Sequence, residues 1–372
     1  MKIVYIIKKG FQYYPPCLAQ VLILNDLGME LEIYHGKNSE YIDGLLDIRQ
    51  IKHYQLNSDN DAKGRVASIK KLIFYRQELK KILSGISCDE VLWFGNCESL
   101  MLLGKYLENR KFVASILELY DDKRWIRKLL REILPKAEAV ICCEKHRAAI
   151  MKSYYSLNEL PYVIPNKAYE LGLSNEYNPI LHNDFLQKTT NKAAGKIVVL
   201  YQGIISKDRP LSVVANALAK INNPNIVFWI MGSGDMQVVE ETKHIYTNTE
   251  YLGYIPSPQH LFVTAFASIG IANYDYSNLN NVFCAPNKIY EYAKFGIPML
   301  TSDNIGLSET VGAEGAAECV DFREVNQVKN GLLTIINGYT QYSKCAKEFY
   351  HMSDNRETIC HICKVLESRC FY

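Results

Sequence analysis

Long hydrophobic runs are missing from this 372-residue chain. The opening apolar stretch, Ile3 to Ile7, is followed by Lys8 and Lys9, the wrong order and length for a secretory signal. Nothing approaches the roughly 20 apolar residues that a bilayer-spanning helix needs. A cytoplasmic protein is therefore expected. An excess of one charge sign is missing too: 42 Lys and Arg stand against 40 Asp and Glu, which argues against a nucleic-acid binder. Repeats and low-complexity tracts are absent. The 11 cysteines have no secretory signal beside them and read as reduced thiols, most of them filling core space. Cys360-His361-Ile362-Cys363 has the spacing of metal ligands but lacks a second pair, with only Cys345, His351 and Cys370 to help. Asp59-Asn60-Asp61 has the Asp-x-Asp form of a metal site, yet no strand leads into its polar loop. No metal is expected at either place.

What is present is alternation. Short β-rich runs interleave with longer helical ones, as a parallel sheet with crossover helices requires. The length exceeds what one core usually supports, and the pattern runs twice. Residues 1–165 predict an N-terminal Rossmann-like domain with strands near Lys2 to Ile7, Glu30 to Tyr34, Glu90 to Phe94, Phe112 to Leu117, Ala139 to Cys143 and Tyr162 to Ile164. Residues 166–195, rich in Asn and Lys, read as an interdomain connection carrying a short helix. Residues 196–338 predict a second Rossmann-like domain, with strands at Ile197 to Gln202, Ile226 to Met231, Ile269 to Ala272, Met299 to Thr301 and Glu318 to Val320. Residues 339–372 predict a helical tail that packs back towards the first domain. The expected class is α/β, two doubly wound domains facing across a cleft, with functional residues just after the strands.

Candidates do follow the strands. Gly203 comes after the first strand of the second domain and permits close backbone approach, with Lys207 and Arg209 in reach of a diphosphate. Gly232 and Gly234 close another strand, but no third glycine completes a dinucleotide fingerprint. Leu252-Gly253-Tyr254-Ile255-Pro256 offers a loop for a base edge and a tyrosine for stacking. Most informative is Pro286-Asn287-Lys288-Ile289-Tyr290-Glu291-Tyr292-Ala293-Lys294-Phe295-Gly296. Pro286 suits a first helical position and Gly296 an end. Asn287, Lys288, Glu291 and Lys294 fall on one side, facing ligand or water, while Ile289, Tyr292, Ala293 and Gly296 pack. The first turn of such a helix, with Lys288 in it, suits an anion, and Glu291 suits a ribose diol.

In this order the segments resemble the donor domain of GT-B glycosyltransferases, specifically the retaining family four of bacterial capsule, lipopolysaccharide and exopolysaccharide sugar transferases. The match runs from Ile197 to about Asp321. The resemblance implies that Arg209 contacts the donor diphosphate and Glu291 the ribose, and that the loop of Gly253, Tyr254 and Ile255 lies against the base. Gly203, Lys207, Gly232, Gly234, Ala285, Pro286 and Asn287 complete the implied donor site. In the first half, Gly10 takes the place of a glycine-bearing loop, and Glu118, Tyr120 and Asp121 fall on the implied acceptor side. The chain departs from the family in three places. Phe283 stands where relatives carry a glutamate, Ile204 where an arginine is common, and Leu117 where many place a histidine. Lys288 is expected to supply the phosphate charge that Ile204 lacks, which makes Arg209, Lys288 and Glu118 the candidate catalytic residues.

The implied reaction moves a sugar, with retention, from a nucleotide sugar to a glycan or lipid-linked acceptor. A UDP-sugar is favoured over a GDP-sugar, and neither metal nor cofactor is required, because basic groups and helix amides stabilise the leaving diphosphate. The basic segment Lys123 to Arg131, with Trp125 near its start, permits contact with an anionic membrane surface, although Ile126, Leu129 and Leu130 equally suit packing on the sheet. A nucleotide-sugar epimerase of the same fold, or a GT-B partner subunit without turnover, are the alternatives.

Overall fold

The structure, a computed structural model, describes residues 1–57, 65–170 and 178–368. Asp59-Asn60-Asp61 and Cys370 lie outside the described residues. The described chain forms two compact units, one of Met1–Tyr169 together with the chain from Asp354, the other of Glu170–Ser353.

In the first unit the strands are β1 (Lys2–Ile6), β2 (Glu30–His35), β3 (Lys52–Gln55), β4 (Val91–Phe94), β5 (Phe112–Ser115), β6 (Ala139–Cys142) and β7 (Tyr162–Val163). Its helices are α1 (Pro15–Asp26), α2 (Glu40–Ile48), α3 (Arg65–Gly85), α4 (Cys97–Leu103), α5 (Arg124–Ile133) and α6 (Lys145–Tyr155). The second unit holds α7 (Pro179–His182), α8 (Asp184–Ala193), β8 (Ile197–Gln202), α9 (Leu211–Ile221), β9 (Ile226–Met231), α10 (Met236–Ile245), β10 (Thr249–Gly253) and α11 (His260–Thr264). It continues with β11 (Ile269–Ala272), α12 (Leu279–Val282), α13 (Asn287–Lys294), β12 (Met299–Ser302), α14 (Ile305–Leu307), β13 (Ala317–Val320), α15 (Val325–Asn337) and α16 (Tyr339–Met352). The last helix, α17 (Asn355–Ser368), returns to the first unit.

Both sheets are wholly parallel, in the orders β3-β2-β1-β4-β5-β6-β7 and β10-β9-β8-β11-β12-β13. Each order reverses direction once, between β1 and β4 and between β8 and β11, and open α/β sheets bind ligands at such a reversal, outside the carboxyl ends of the strands. The central strands are near-continuous apolar runs because helices cover both faces: every residue of Val-Leu-Trp-Phe in β4 and of Ile-Val-Phe-Trp-Ile-Met in β9 is buried.

Several elements differ from the sequence pattern. The polar stretch after β2 contains α2 and β3, and β10 precedes the Tyr254 loop. Both strands lie at sheet edges, where water on one side removes the unbroken apolar signal, and β3 exposes three of its four residues. Residues 166–195, read as a connection with one short helix, contain two among the described residues, α7 and α8, and Ile180, Leu186 and Ala193 enter the core of the second unit. The C-terminal tail divides. Helix α16 packs on α13 in the second unit, with the Tyr290 and Phe349 rings stacked at 5.3 Å. Helix α17 packs on α1, and Asn355 Nδ2 donates to the carbonyls of Pro165 and Lys167 at 3.1 and 3.2 Å. On α5, Ile126 and Leu130 are buried and Trp125 is exposed, so the apolar stripe packs inward and the indole stands out.

Candidate functional site

The carboxyl ends of β8, β9 and β10 are laced together by backbone. Gly203 N donates to Met231 O at 2.9 Å, Ile205 N to Ser233 O at 2.9 Å, Asp235 N to Ile205 O at 2.9 Å and Gly232 N to Gly253 O at 2.8 Å. Glycine is required here for space as well as conformation. Gly232 and Gly234 have φ of +150° and +148°, and a Cβ on either would lie 1.8 Å from Gly203 O or 2.0 Å from Ile205 O. These glycines serve to seat one strand-end loop on the next.

At the reversal between β8 and β11, two cations converge on Gly203. A Cβ at that residue would sit 3.3 Å from Lys288 Nζ and 3.9 Å from Arg209 Nη1. Lys288 projects from the first turn of α13, yet it is only 6% exposed. Its Nζ has no hydrogen-bond partner and lies 4.3 Å from the centre of the Tyr201 ring and 5.6 Å from that of Tyr274. Burial, and then repulsion from Arg209, push its affinity for a proton well below that of an ordinary lysine. Arg209 lies over Tyr274 at 4.8 Å, donates from Nη1 to Ile204 O at 3.3 Å and leaves its Nε unpartnered. Beyond β11, Asn273 is fully buried with neither side-chain polar atom partnered. Buried polar groups are ordinarily satisfied. Three unsatisfied residues at one sheet reversal are the signature of a place kept for a polar ligand.

One turn further along α13, Glu291 is held from two sides. His260 Nε2 lies 3.2 Å from one carboxylate oxygen and Gln202 Nε2 donates to the other at 2.5 Å, while Gln202 Oε1 accepts from Thr264 Oγ1 at 2.8 Å. Burial opposes ionisation of Glu291, but His260, Gln202 and Lys288 outweigh it and hold the carboxyl below its ordinary range. The site therefore places a fixed carboxylate beside two basic side chains.

The helical-wheel expectation for this segment needs correction in two respects. Pro286 is the N-cap, with extended ψ of 148°, and Asn287 is the first helical residue. Lys288 faces the interior and not water, and Lys294 is half-buried. Of the other donor-side candidates, Ala285 is buried, Asn287 half-buried and Lys207 exposed on the loop after β8. Tyr254, 55% exposed, and half-buried Ile255 follow Gly253, whose φ is +73°. Phe283, at the place of the missing glutamate, is half-buried at the end of α12. Arg209, Lys288, Gly203, Glu291 and the α13 amino end are brought together; Lys207 stands apart as a solvated charge.

The acceptor-side candidates belong to the first unit. Gly10 is buried beside the backbone of Lys37, which a Cβ would meet at 2.1 Å. Glu118 is exposed and Asp121 half-buried after β5, and Tyr120, with φ of +54°, shares a 2.6 Å hydrogen bond with Cys97 Sγ. Sequence reasoning missed Gln202, His260, Thr264, Asn273, Tyr201 and Tyr274. Gln202 and Asn273 could have been found as polar residues that end otherwise apolar strands; His260 and Thr264 carried no such signal.

No family model matches this sequence, and no characterised protein matches it at the sequence level. By structure the chain has the GT-B glycosyltransferase fold, two Rossmann-like parallel-sheet units. It is similar to Anabaena HepE in complex with UDP and glucose, at a TM-score of 0.71 and 15% identity over 99% of this chain and 100% of that one. It is similar to sucrose-phosphate synthase from Thermosynechococcus elongatus, at 0.71 and 15% over 100% and 99%, and to the trehalose-6-phosphate synthase OtsA, at 0.66 and 11% over 98% and 99%. HepE was also solved with UDP-glucose. At such identities the likeness establishes the fold and leaves chemistry to the site.

Proposed function

We propose that the protein is a glycosyltransferase that moves a hexose, with retention of configuration, from a nucleotide-diphosphate donor to a glycan or lipid-linked acceptor. A UDP-sugar is the favoured donor, and bacterial surface polysaccharide synthesis is the setting. The observation that carries this reading is Lys288 Nζ, buried and unpartnered beside Gly203 and Arg209 at the sheet reversal. A diphosphate there would accept hydrogen bonds from Lys288 and Arg209 and meet the positive end of α13, and glycine at 203 leaves room for it.

As the sugar departs, its anomeric carbon gains positive character and negative charge grows on the diphosphate, which these fixed cations stabilise without reorganising. That charge balance assigns no step to a metal. Glu291, oriented by His260 and Gln202, accepts hydrogen bonds from the ribose diol, and Tyr254 offers its ring to the base. The acceptor hydroxyl gives its proton to the departing phosphate. Glu118, Tyr120, Asp121 and the Gly10 loop are the proposed acceptor-binding groups, and the exposed Trp125 on basic α5 is the proposed contact with an anionic membrane surface. No helix of the described residues is long and apolar enough to cross a membrane.

A thermal-shift panel of UDP, GDP and their sugars tests the donor, since a ligand of the native state raises Tm with its affinity. UDP and a UDP-sugar should stabilise the protein, and Lys288→Ala should remove the effect. Stabilisation that survives Lys288→Ala would refute the assignment. Sugar release in the presence of acceptor marks a transferase, binding without release a partner subunit, and interconversion without acceptor an epimerase.

A further inference from the structure

A second constellation lies in the first unit and contains none of the residues assigned above to donor or acceptor. His35 ends β2, His53 lies on the same face of neighbouring β3, and Asp43 comes from α2 between them in sequence. Their inward atoms converge. His35 Nε2 is 2.9 Å from His53 Nδ1, and Asp43 Oδ1 lies 4.0 and 3.8 Å from the same two nitrogens.

The outer partners fix both rings. His35 Nδ1 is 2.6 Å from the carbonyl oxygen of Gly36, which can only accept, so Nδ1 carries the hydrogen and Nε2 presents a lone pair. His53 Nε2 is 3.1 Å from Asp47 Oδ1, so it carries a hydrogen outward, and Nδ1 of the neutral ring presents a lone pair. Two lone pairs and a carboxylate thus face one another across less than 4.8 Å. The Asn38 amide nitrogen, 2.9 Å from Asp43 Oδ1 and 3.4 Å from His35 Nε2, offsets part of their mutual repulsion, and a cation held among the three would offset the rest.

We propose that His35 Nε2, His53 Nδ1 and the Asp43 carboxylate bind a single divalent cation of the zinc type. Nitrogen and oxygen ligands at about 2.0–2.1 Å around a tetrahedral ion stand roughly 3.3 Å apart, within the span of the three observed separations. Histidine ligands whose other nitrogen donates to a carboxylate or backbone carbonyl are the usual outer shell of such sites, and both kinds occur here. Asn38 orients the third ligand: its Nδ2 donates to Asp43 Oδ1 at 2.9 Å, and its Oδ1 accepts from Phe11 N at 2.9 Å. Asp43, 37% exposed, leaves the cluster open to entering ions. A bound ion would clasp β2, α2 and β3 and, through Asn38, steady the turn that starts at Gly10. The site is structural and makes no use of the proposed transfer reaction.

The test uses the full chain, free of affinity tag and stripped with chelator, titrated with ZnCl2 by equilibrium dialysis and with CoCl2 by visible absorption. One zinc per chain and a cobalt d–d spectrum of nitrogen and oxygen ligation are expected, with Tm rising in Zn2+. His53→Gln and the more exposed Asp43→Asn should each weaken zinc by at least about tenfold, and Asp47→Asn by about 10–100-fold through the outer shell. The double variant Cys360→Ser, Cys363→Ser should leave affinity unchanged. Absence of stoichiometric zinc, or binding lost in the cysteine variant and kept in His53→Gln and Asp43→Asn, would overturn the proposal. Absence of zinc would instead assign the charge between the rings to a shared proton. Donor binding enters none of these readouts.

Discussion

Two buried polar arrangements, one in each unit, are completed in opposite ways. In the first unit Gln20, 1% exposed on α1, accepts at Oε1 from Tyr5 of β1 at 3.1 Å, Trp93 of β4 at 3.0 Å and Ser115 of β5 at 3.2 Å, so one oxygen ties three adjacent strands. In the second unit Lys288 Nζ, Arg209 Nε and both polar atoms of Asn273 are left without partners around the β8–β11 reversal. A buried unpartnered polar group costs about 1–3 kcal/mol, and more if charged. Only the first arrangement stabilises its fold; the second costs stability that a bound anion would recover. Polar burial thus distinguishes a place that ties strands together from a place kept for a ligand.

The largest effect should come from Lys288→Ala, which removes a fixed charge from the leaving diphosphate and should lower kcat by about 10²–10³-fold, as loss of a transition-state donor does. Turnover near wild type with unchanged donor affinity would break the comparison at its centre. Glu291→Gln keeps the shape but loses the charge on the proposed ribose contact; donor affinity should fall by about tenfold or more, measured by calorimetry. The reciprocal change, Gln20→Leu, orphans three buried donors and should cost about 1–3 kcal/mol in chemical denaturation while leaving UDP affinity unchanged. If Gln20→Leu weakened UDP and spared stability, the scaffold and site roles would be reversed.

A smaller effect concerns pH. Lys288 holds its proton poorly in the free protein, through burial and then Arg209, whereas a neighbouring diphosphate would favour the charged form. The complex then binds one proton more than the free protein at pH values above the depressed free-state range. Donor affinity should therefore fall as pH rises, by at most about tenfold per unit, with proton uptake visible as a buffer-dependent binding enthalpy. The smallest expected change is Lys288→Met without ligand, which should raise stability by about 1 kcal/mol or more by removing the unsatisfied amino group from the interior.

Much of the architecture is legible locally. Continuous apolar runs announce central parallel strands, and β3 and β10 escape because Lys-His-Tyr-Gln and Thr-Glu-Tyr-Leu-Gly mix polar with apolar residues. The order of glycines, Arg209, Lys288 and Glu291 along the chain carries the donor-site expectation, since the glycines and Arg209 follow strands and Lys288 and Glu291 lie in the first two turns of a recognisable helix. Which groups hold them is not legible. Gln202 reaches Glu291 across 89 residues of sequence, and His35 meets His53 through the β2–β3 register. The amino-acid order by itself determined the doubled α/β alternation and the residue types placed after the strands, because hydrophobic period and backbone conformation act over a few residues. Only the tertiary structure decided that Lys288 is buried beside Arg209 with its Nζ lacking a hydrogen-bond partner and that two histidines face each other at 2.9 Å, because burial and pairing depend on which distant strands lie side by side.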